Sequence, residues 1–122
     1  MNSYRDLVVW QKSMEMVRLI YQLTNTFPKE ELYSLTSQVR RSAVSIPSNI
    51  AEGYGRQHRL EYIRFLQIAR GSLFELQTQM ELAIMIGYLK REELITVDLL
   101  SVEIEKMLNS LIGKLTASKS NS

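Results

Sequence analysis

Apolar residues recur every three or four positions along four stretches of the chain, and short polar breaks separate these stretches. The first stretch carries Leu7, Trp10, Met14, Val17 and Tyr21. This spacing is typical of one face of a helix, and Asp6 stands where an N-cap is expected. Pro28 ends the stretch, because the residue before a proline is disfavoured in the helical region. The pattern predicts a helix over residues 6–26.

The second and third stretches predict helices over residues 30–55 and 59–87. Glu30 and Glu31 open the second one and suit the positive end of a helix dipole. Its apolar positions are Leu32, Leu35, Val39, Ile46 and Ile50. The third alternates steps of four and three through Tyr62, Leu66, Ala69, Leu73, Leu76, Met80 and Ala83. Gly87, followed by Leu89, is typical of a glycine stop with its hydrophobic contact.

The fourth stretch predicts a helix over residues 91–116. Its apolar face comprises Leu94, Val97, Ser101, Ile104, Leu108, Leu111 and Leu115. Residues 117–122 offer nothing to bury and are expected to fray. Four amphipathic helices joined by short connections predict an all-α domain over residues 1–116, folded as an up-down-up-down antiparallel four-helix bundle.

Several apolar residues of the third and fourth helices lie off these narrow faces. They are Ile63, Phe65, Ile68, Ile95, Leu99, Leu100 and Val102. Globular bundles use broader apolar stripes than coiled coils, which is one explanation. A subunit interface is the other, because small monomers rarely expose large apolar patches. The pattern leaves both open.

Composition narrows the class of protein. The chain has 122 residues, 45% of them apolar, which is enough for one self-supporting core, and it has no cysteine. Neither a signal peptide nor an apolar run of membrane-spanning length is evident, so the expected location is the cytoplasm. The net charge is only +2, but residues 38–72 hold six basic and two acidic side chains. The middle third is therefore the basic part of the chain.

Candidate catalytic and metal-binding residues are few. The single histidine, His58, lies in a polar break where a solvated loop residue is expected. The Glu-x-x-His pairs of di-iron bundles, the His-Glu-x-x-His motif of zinc proteases and the lysine-bearing phosphate loop are all absent from the sequence. The Arg-x(4 to 6)-His pair of helical RNases is also missing. We therefore predict a protein without enzymatic activity, metal or cofactor.

The segment "RRSAVSIPSNIAEGYGR", residues 40–56, interrupts an otherwise helical chain with Pro47 and Gly53. A proline inside a helix removes one hydrogen bond at a cost of about 3 kcal/mol, so we expect a kink there, with nearby serine hydroxyls bonding the freed backbone groups. Asn49 and Glu52 are interpreted as local polar partners or interface residues. In an antiparallel pair Gly71 falls opposite Ala43, which predicts close packing of the second and third helices at that point.

Two long segments, together with this motif, resemble a known family. They are "DLVVWQKSMEMVRLIYQLTNTFPKEELYSLTSQVRRSAVSIPSNIAEGYGR", residues 6–56, and "FLQIARGSLFELQTQMELA", residues 65–83. The family is that of four-helix bundle proteins encoded by intervening sequences in bacterial large-subunit ribosomal RNA genes. The resemblance implies a ring-shaped homopentamer of a small bacterial or phage-borne protein without enzymatic activity. A similar subgroup, the accessory variability proteins of diversity-generating retroelements, implies binding of nucleic acid and of a reverse transcriptase.

Two functional hypotheses follow. In the first, a homo-oligomer binds RNA or DNA, because arginines neutralise phosphates and multiple copies multiply the basic region. The candidate contacts are Arg40, Arg41, Arg56, Arg59, Arg64 and Arg70, which fall into two clusters rather than one stripe. Tyr54 and Tyr62 are candidates for stacking on unpaired bases. In the second, the arginines belong to a solvated face or to subunit salt bridges, and the protein is an interaction scaffold with no role in nucleic-acid binding.

Overall fold

The computed structural model describes residues 2–118, and within that range every regular element is helical. Four long helices carry the fold: α1 (Val8–Thr24), α2 (Leu35–Gly55), α3 (Arg59–Met85) and α4 (Ile95–Ala117). Short 3-10 helices precede three of them, at Tyr4–Asp6, Lys29–Glu31 and Arg91–Leu94. The chain is therefore an all-α four-helix bundle. Fraying is predicted from residue 117, but Ala117 ends α4 and the Ser118 hydroxyl donates to the Leu115 carbonyl; the rest of that tail lies outside the described residues.

The start of α1 differs from the sequence prediction. Leu7, not Asp6, is the N-cap residue, and its side chain makes no capping hydrogen bond. Asp6 belongs to the preceding 3-10 helix, and its Oδ2 accepts a hydrogen bond from the Asn2 amide at 3.0 Å. The N-cap prediction for Asp6 is wrong because a separate turn, capped by the Ser3 hydroxyl, comes before α1.

The connection before α2 is longer than the pattern indicates, and α2 begins at Leu35 rather than at residue 30. Pro28 starts a 3-10 turn, and Ser34 adopts φ −126° and ψ −108°, which is outside the helical region. Glu31 still acts at the helix start, since its Oε1 accepts a hydrogen bond from the Leu35 amide at 3.3 Å.

The end of α3 has the geometry that the glycine pattern predicts. Gly87 has φ +89°, and the Tyr88 amide donates to the Ala83 carbonyl at 2.8 Å. Leu89 is buried, which supplies the hydrophobic contact of this motif. The predicted glycine stop is confirmed.

Each long helix packs against two neighbours: α1 against α2 and α4, and α3 against α2 and α4. The core runs along the middle of this arrangement. Its largest fully buried side chains are those of Met16, Ile20, Val39, Ile46, Ile50, Leu66, Leu73, Leu76, Met80, Leu94, Ile104 and Leu108. The apolar face predicted for α3 is buried from Leu66 to Ala83, with Tyr62 half-buried. Within residues 2–118, no helix is both long and apolar enough to cross a membrane.

The apolar face predicted for α1 is buried only in part: Leu7 is buried, and Trp10 and Val17 pack half-buried against the core. The buried stripe of this helix is Val9, Ser13, Met16, Ile20 and Thr24. Met14 and Tyr21 of the predicted face are 45% and 41% exposed. The reason is that α1 packs against both α2 and α4. The side of α1 that lies between these two helices is buried, whereas the side that carries Met14 and Tyr21 lies next to α2 and stays partly exposed.

Candidate nucleic-acid interface

The proline segment forms part of a continuous helix. Pro47 is buried inside α2, and the Asn49 side-chain amide donates to the Ser45 carbonyl at 2.8 Å and to the Ser45 hydroxyl at 2.9 Å. The Ser45 hydroxyl also lies 2.8 Å from that of Ser72 on α3. Ser42 donates to the Gln38 carbonyl. These polar groups therefore bond within α2 and across to α3.

Close packing of α2 and α3 occurs at Gly53. A Cβ atom added there would lie 2.6 Å from Phe65 Cβ and 3.2 Å from Tyr62 Cδ1. The first of these distances is shorter than real Cβ contacts, so only glycine lets the backbones approach this closely. Glu52, the preceding residue, points outward and pairs with Arg56 at 3.1 Å.

The close-packing prediction for Gly71 is wrong. A Cβ atom added at Gly71 meets no atom of the described residues within 4 Å, and the residue is exposed. The small residues that face each other across the helices are Ser45 and Ser72. The contact therefore lies one position away on α3, and the resulting rotation of about 100° turns Gly71 to solvent.

The six candidate arginines do not form one surface. Arg40 faces α1, where its Nε donates to Thr24 Oγ1 at 2.9 Å and its guanidinium lies 4.6 Å from the Tyr21 ring centroid. Arg70 faces α4, where it donates to Asn109 Oδ1 at 2.8 Å. These two side chains connect neighbouring helices, so their positions indicate a structural role.

Arg56 and Arg64 lie together beside the α2–α3 turn, and both guanidinium groups contact the ring of Phe65. Their Cζ atoms are 5.2 Å and 4.7 Å from the centroid of this buried ring. Each also forms an ion pair with a carboxylate of its own helix, Arg56 with Glu52 and Arg64 with Glu61. The ion pair with Arg64 lowers the pKa of Glu61. The contact of Phe65 with both guanidinium groups was not predicted from the sequence. The only indication of it there is that an aromatic residue directly follows Arg64.

Arg59 lies at the same end of the bundle but is partly buried. Its Nη1 lies 3.5 Å from the Leu115 carbonyl near the end of α4. Its Nε is buried, and among the described residues no atom accepts a hydrogen bond from it. Arg59 thus joins α3 to α4, and most of its guanidinium is less accessible than those of Arg56 and Arg64.

Arg41 is the candidate without a side-chain partner inside residues 2–118. It is exposed and lines a polar groove between α2 and α3 together with Glu75 and Gln79. At about 1.5 Å per helical residue, Arg41 and Arg56 are separated by roughly 22 Å along α2. They therefore belong to different ends of the bundle.

The two ends of the bundle carry opposite charge. Among the described residues, five cations surround three carboxylates at the end where α2 passes into α3: Arg5, Arg56, Arg59, Arg64 and Lys114 with Asp6, Glu52 and Glu61. At the other end, five cations accompany six carboxylates within the same range: Lys29, Arg40, Arg41, Lys90 and Arg91 with Glu30, Glu31, Glu81, Glu92, Glu93 and Asp98. We call the first the basic end and the second the acidic end.

The two candidate stacking residues contact each other. The rings of Tyr54 and Tyr62 meet edge to face, with centroids 6.0 Å apart and an interplanar angle of 89°. Both residues are half-buried, and burial raises the pKa of Tyr62 to about 12. The edge of one tyrosine ring therefore covers a face of the other, which removes one of the ring faces that could stack on a base.

No cluster of three or more metal-ligating side chains occurs among residues 2–118. His58 is exposed and occupies the N-cap position of α3 without a side-chain capping hydrogen bond. The chemistry displayed at the basic end is thus that of guanidinium groups next to an aromatic ring.

The sequence and the fold both match known proteins. The model of one protein family, described as 23S rRNA-intervening sequence protein, matches residues 5–110. The chain belongs to this family. A solved structure from the S23 ribosomal protein family of Bacteroides thetaiotaomicron VPI-5482, a protein of unknown function, is 33% identical with a TM-score of 0.77. The similarity covers 87% of this chain and 96% of that one. No curated protein matches the chain.

Proposed function

We propose that this chain is a non-enzymatic protein that assembles with copies of itself and binds nucleic acid through the basic end of the bundle. The observation that carries the proposal is the pair of exposed guanidinium groups, Arg56 and Arg64, beside the same Phe65 ring. Guanidinium groups contact phosphates bidentately and stack on bases, so this pair suits a nucleic-acid backbone.

The separation of charge along the bundle supports the same proposal. A nucleic acid is attracted to the basic end and repelled by the acidic end, which orients the protein on its ligand. The opening turn of α3 adds backbone amides and the positive end of a helix dipole at the basic end. Glu52 and Glu61 offset part of this charge, so one copy is expected to bind weakly and several copies together to bind strongly.

The proposed assembly is a ring-shaped homopentamer of up-down-up-down antiparallel bundles, as the family resemblance implies. Contacts between successive helices support the antiparallel arrangement. Ser45 meets Ser72, whereas Gly53, farther along α2, meets Phe65, which is earlier on α3. Arg70 meets Asn109, whereas Gln77 meets Ser101. In a ring, all basic ends lie on one side and form a single charged surface.

The direct test is fluorescence anisotropy of purified, nuclease-treated protein with labelled structured RNA, single-stranded DNA and double-stranded DNA across a salt series. The proposal expects binding that weakens steeply with salt, because each phosphate contact releases counterions. Absence of binding to all three probes at low salt would contradict it and favour the scaffold hypothesis.

A matched pair of variants assigns the binding surface. Arg64→Gln and Arg18→Gln each remove one charge and one i, i+3 ion pair, and the two side chains are 56% and 55% exposed. Arg18 lies on α1, away from the basic end. Arg64→Gln should weaken binding and make the salt slope shallower by about 1 for each copy that touches a phosphate, whereas Arg18→Gln should bind like the wild type. Equal effects of the two variants would show that net charge, not the basic end, drives binding.

The scaffold hypothesis is favoured by one observation, the exposed apolar residues of α4. A pull-down after nuclease treatment that recovers a stoichiometric partner of different sequence would support it. Recovery of only the chain itself would count against it.

A further inference from the structure

Three exposed apolar side chains form a stripe on the outer surface of α4. Ile95, Leu99 and Val102 are 57%, 63% and 50% exposed. Their spacing of four and three places them on one side of the helix. We call these three residues the α4 ridge. An apolar stripe that the chain itself leaves uncovered is typical of a contact with another protein surface.

A complementary recess lies between α1 and α2. It has a volume of about 360 Å³ and is lined on its α1 side by Trp10, Met14 and Val17 and on its α2 side by Val44, Pro47 and Ala51. Met14 and Val44 are 45% and 40% exposed, so the recess is open to solvent. A second recess, lined by Tyr21 and Arg41, adjoins it toward the acidic end and shares Val44 with it. We call this surface the α1–α2 groove.

The ridge and the groove lie at the same position along the long axis of the bundle, which we call their height. Lys12 of α1 pairs with Glu103 of α4 at 2.7 Å, and Gln22 of α1 lines a common recess with Thr96 of α4. These contacts run in opposite chain directions, so Met14 is level with Val102, Val17 with Leu99 and Tyr21 with Ile95. Rotation about an axis parallel to the helices leaves these heights unchanged. A neighbouring copy related by such a rotation therefore presents its ridge at the height of the groove.

The charges next to the two surfaces are also complementary. Arg41 is exposed at the acidic-end side of the groove, and Glu92 is exposed just before the ridge. Within residues 2–118, neither side chain has an ion-pair partner of its own. Arg40 of α2 contacts Thr24 of α1, which places Arg41 near the height of Glu92. The two charges are thus level with each other along the bundle axis when the ridge of one copy enters the groove of the next.

We propose that the α4 ridge of one copy packs into the α1–α2 groove of a second copy, with Arg41 of one copy paired to Glu92 of the other. This inference rests on the self-assembly part of the proposed function and names its interface. The contact joins two different surfaces of the same chain, so it is heterologous and propagates from copy to copy until a ring closes.

Two single variants remove the two sides of this contact separately. Leu99→Glu places a charge on the ridge, and Met14→Glu places one in the groove; both positions are exposed, so the variants should fold. Each variant should be monomeric, with self-association weakened on the order of 100-fold, because a desolvated unpaired charge at the centre of an interface is strongly unfavourable. Leu60→Glu is the control, since Leu60 is 59% exposed at the start of α3, away from both surfaces. It should keep the wild-type mass in analytical ultracentrifugation.

Mixing the variants gives the decisive measurement. The Leu99→Glu chain retains an intact groove and the Met14→Glu chain retains an intact ridge. The mixture should therefore form a one-to-one complex that cannot grow further, and each variant alone should not. A mixture that stays monomeric, or variants that keep the wild-type mass, would overturn the inference. A wild-type chain that is itself monomeric would instead contradict the self-assembly part of the proposed function.

Discussion

The Tyr88 hydroxyl donates a hydrogen bond of 2.6 Å to Glu31 Oε2, and this bond joins the α3–α4 connection to the α1–α2 connection. The ring of Tyr88 also packs against that of Phe27, with centroids 5.5 Å apart. Tyr88 and Glu31 are 57 positions apart in the chain. The acidic end of the bundle is therefore held by a contact between its two connections.

We expect this bond to make stability depend on pH at both extremes. The hydrogen bond from Tyr88 lowers the pKa of Glu31, and the bond to Glu31 raises the pKa of Tyr88. The Glu31 carboxylate contributes to the free energy of unfolding at pH values above its unfolded pKa, about 4.3. This contribution is lost as the pH falls through the lowered pKa of the folded state. The phenol's contribution is present below about pH 10 and is lost as pH rises through the raised folded pKa.

Tyr88→Phe should therefore be less stable than the wild type at pH 7, with a smaller difference in acid where Glu31 is protonated. Urea unfolding at both pH values measures this. Tyr33→Phe is the control, because Tyr33 is 92% exposed, and it should match the wild type. A difference that stays the same in acid would mean that the phenol contributes by packing alone.

Gly53→Ala should destabilise the fold by about 1–3 kcal/mol, because the added methyl group meets Phe65 Cβ and forces α2 and α3 apart. Gly71→Ala is the matched control in the same helix pair. It should be neutral or stabilising by up to about 1 kcal/mol, since alanine is the better helix former and nothing among the described residues obstructs its Cβ. Chemical denaturation of both variants measures the two effects, and equal stability of the two would contradict the close approach at Gly53.

Tyr62 should make the fold sensitive to alkali. Burial, with a smaller effect of Tyr54, raises its pKa to about 12, whereas an unfolded tyrosine titrates near 10. Stability is therefore full below about pH 10 and falls between about pH 10 and 12, by at most roughly 2.7 kcal/mol and less in practice because solvent screens the half-buried side chain.

Tyr62→Phe should flatten this dependence. The measurement is the free energy of unfolding at pH 8 and pH 11 for the wild type, Tyr62→Phe and Tyr33→Phe. The last variant should keep the wild-type pH dependence. If Tyr62→Phe kept it as well, ionisation of other groups would account for the weaker fold in alkali.

Arg40→Met should lower stability by about 1–2 kcal/mol, because it removes the hydrogen bonds to Thr24 and Asn25 and the packing on the Tyr21 ring. Arg18→Met should stay within about 0.5 kcal/mol, since it removes only an exposed ion pair with Glu15. In the anisotropy assay Arg40→Met should bind nucleic acid like the wild type. If Arg40→Met lost nucleic-acid binding but kept the wild-type free energy of unfolding, Arg40 would have to be a direct contact to nucleic acid.

The existence of four long helices and the end of α3 could be predicted from the local sequence. The repeat of apolar residues from Leu66 to Ala83 matches the buried face of α3, and Gly87 marks its end because only glycine readily adopts φ +89°. These features depend on the helical period and on backbone sterics, which act over a few residues. The family resemblance likewise followed from contiguous motifs, and it is confirmed by the family match over residues 5–110.

Tertiary structure decided which apolar stripe of α1 is buried, which glycine permits close packing and which arginines are free. Met14 and Tyr21 are periodic yet exposed, because the position of a helix between two neighbours, not its period alone, selects the buried side. Gly53 and Gly71 look alike in sequence, but only one faces a backbone. The sequence does not distinguish Arg40 and Arg70 from Arg41. Arg40 and Arg70 are held by partners 15 and 39 residues away on neighbouring parts of the fold, whereas Arg41 is left to solvent.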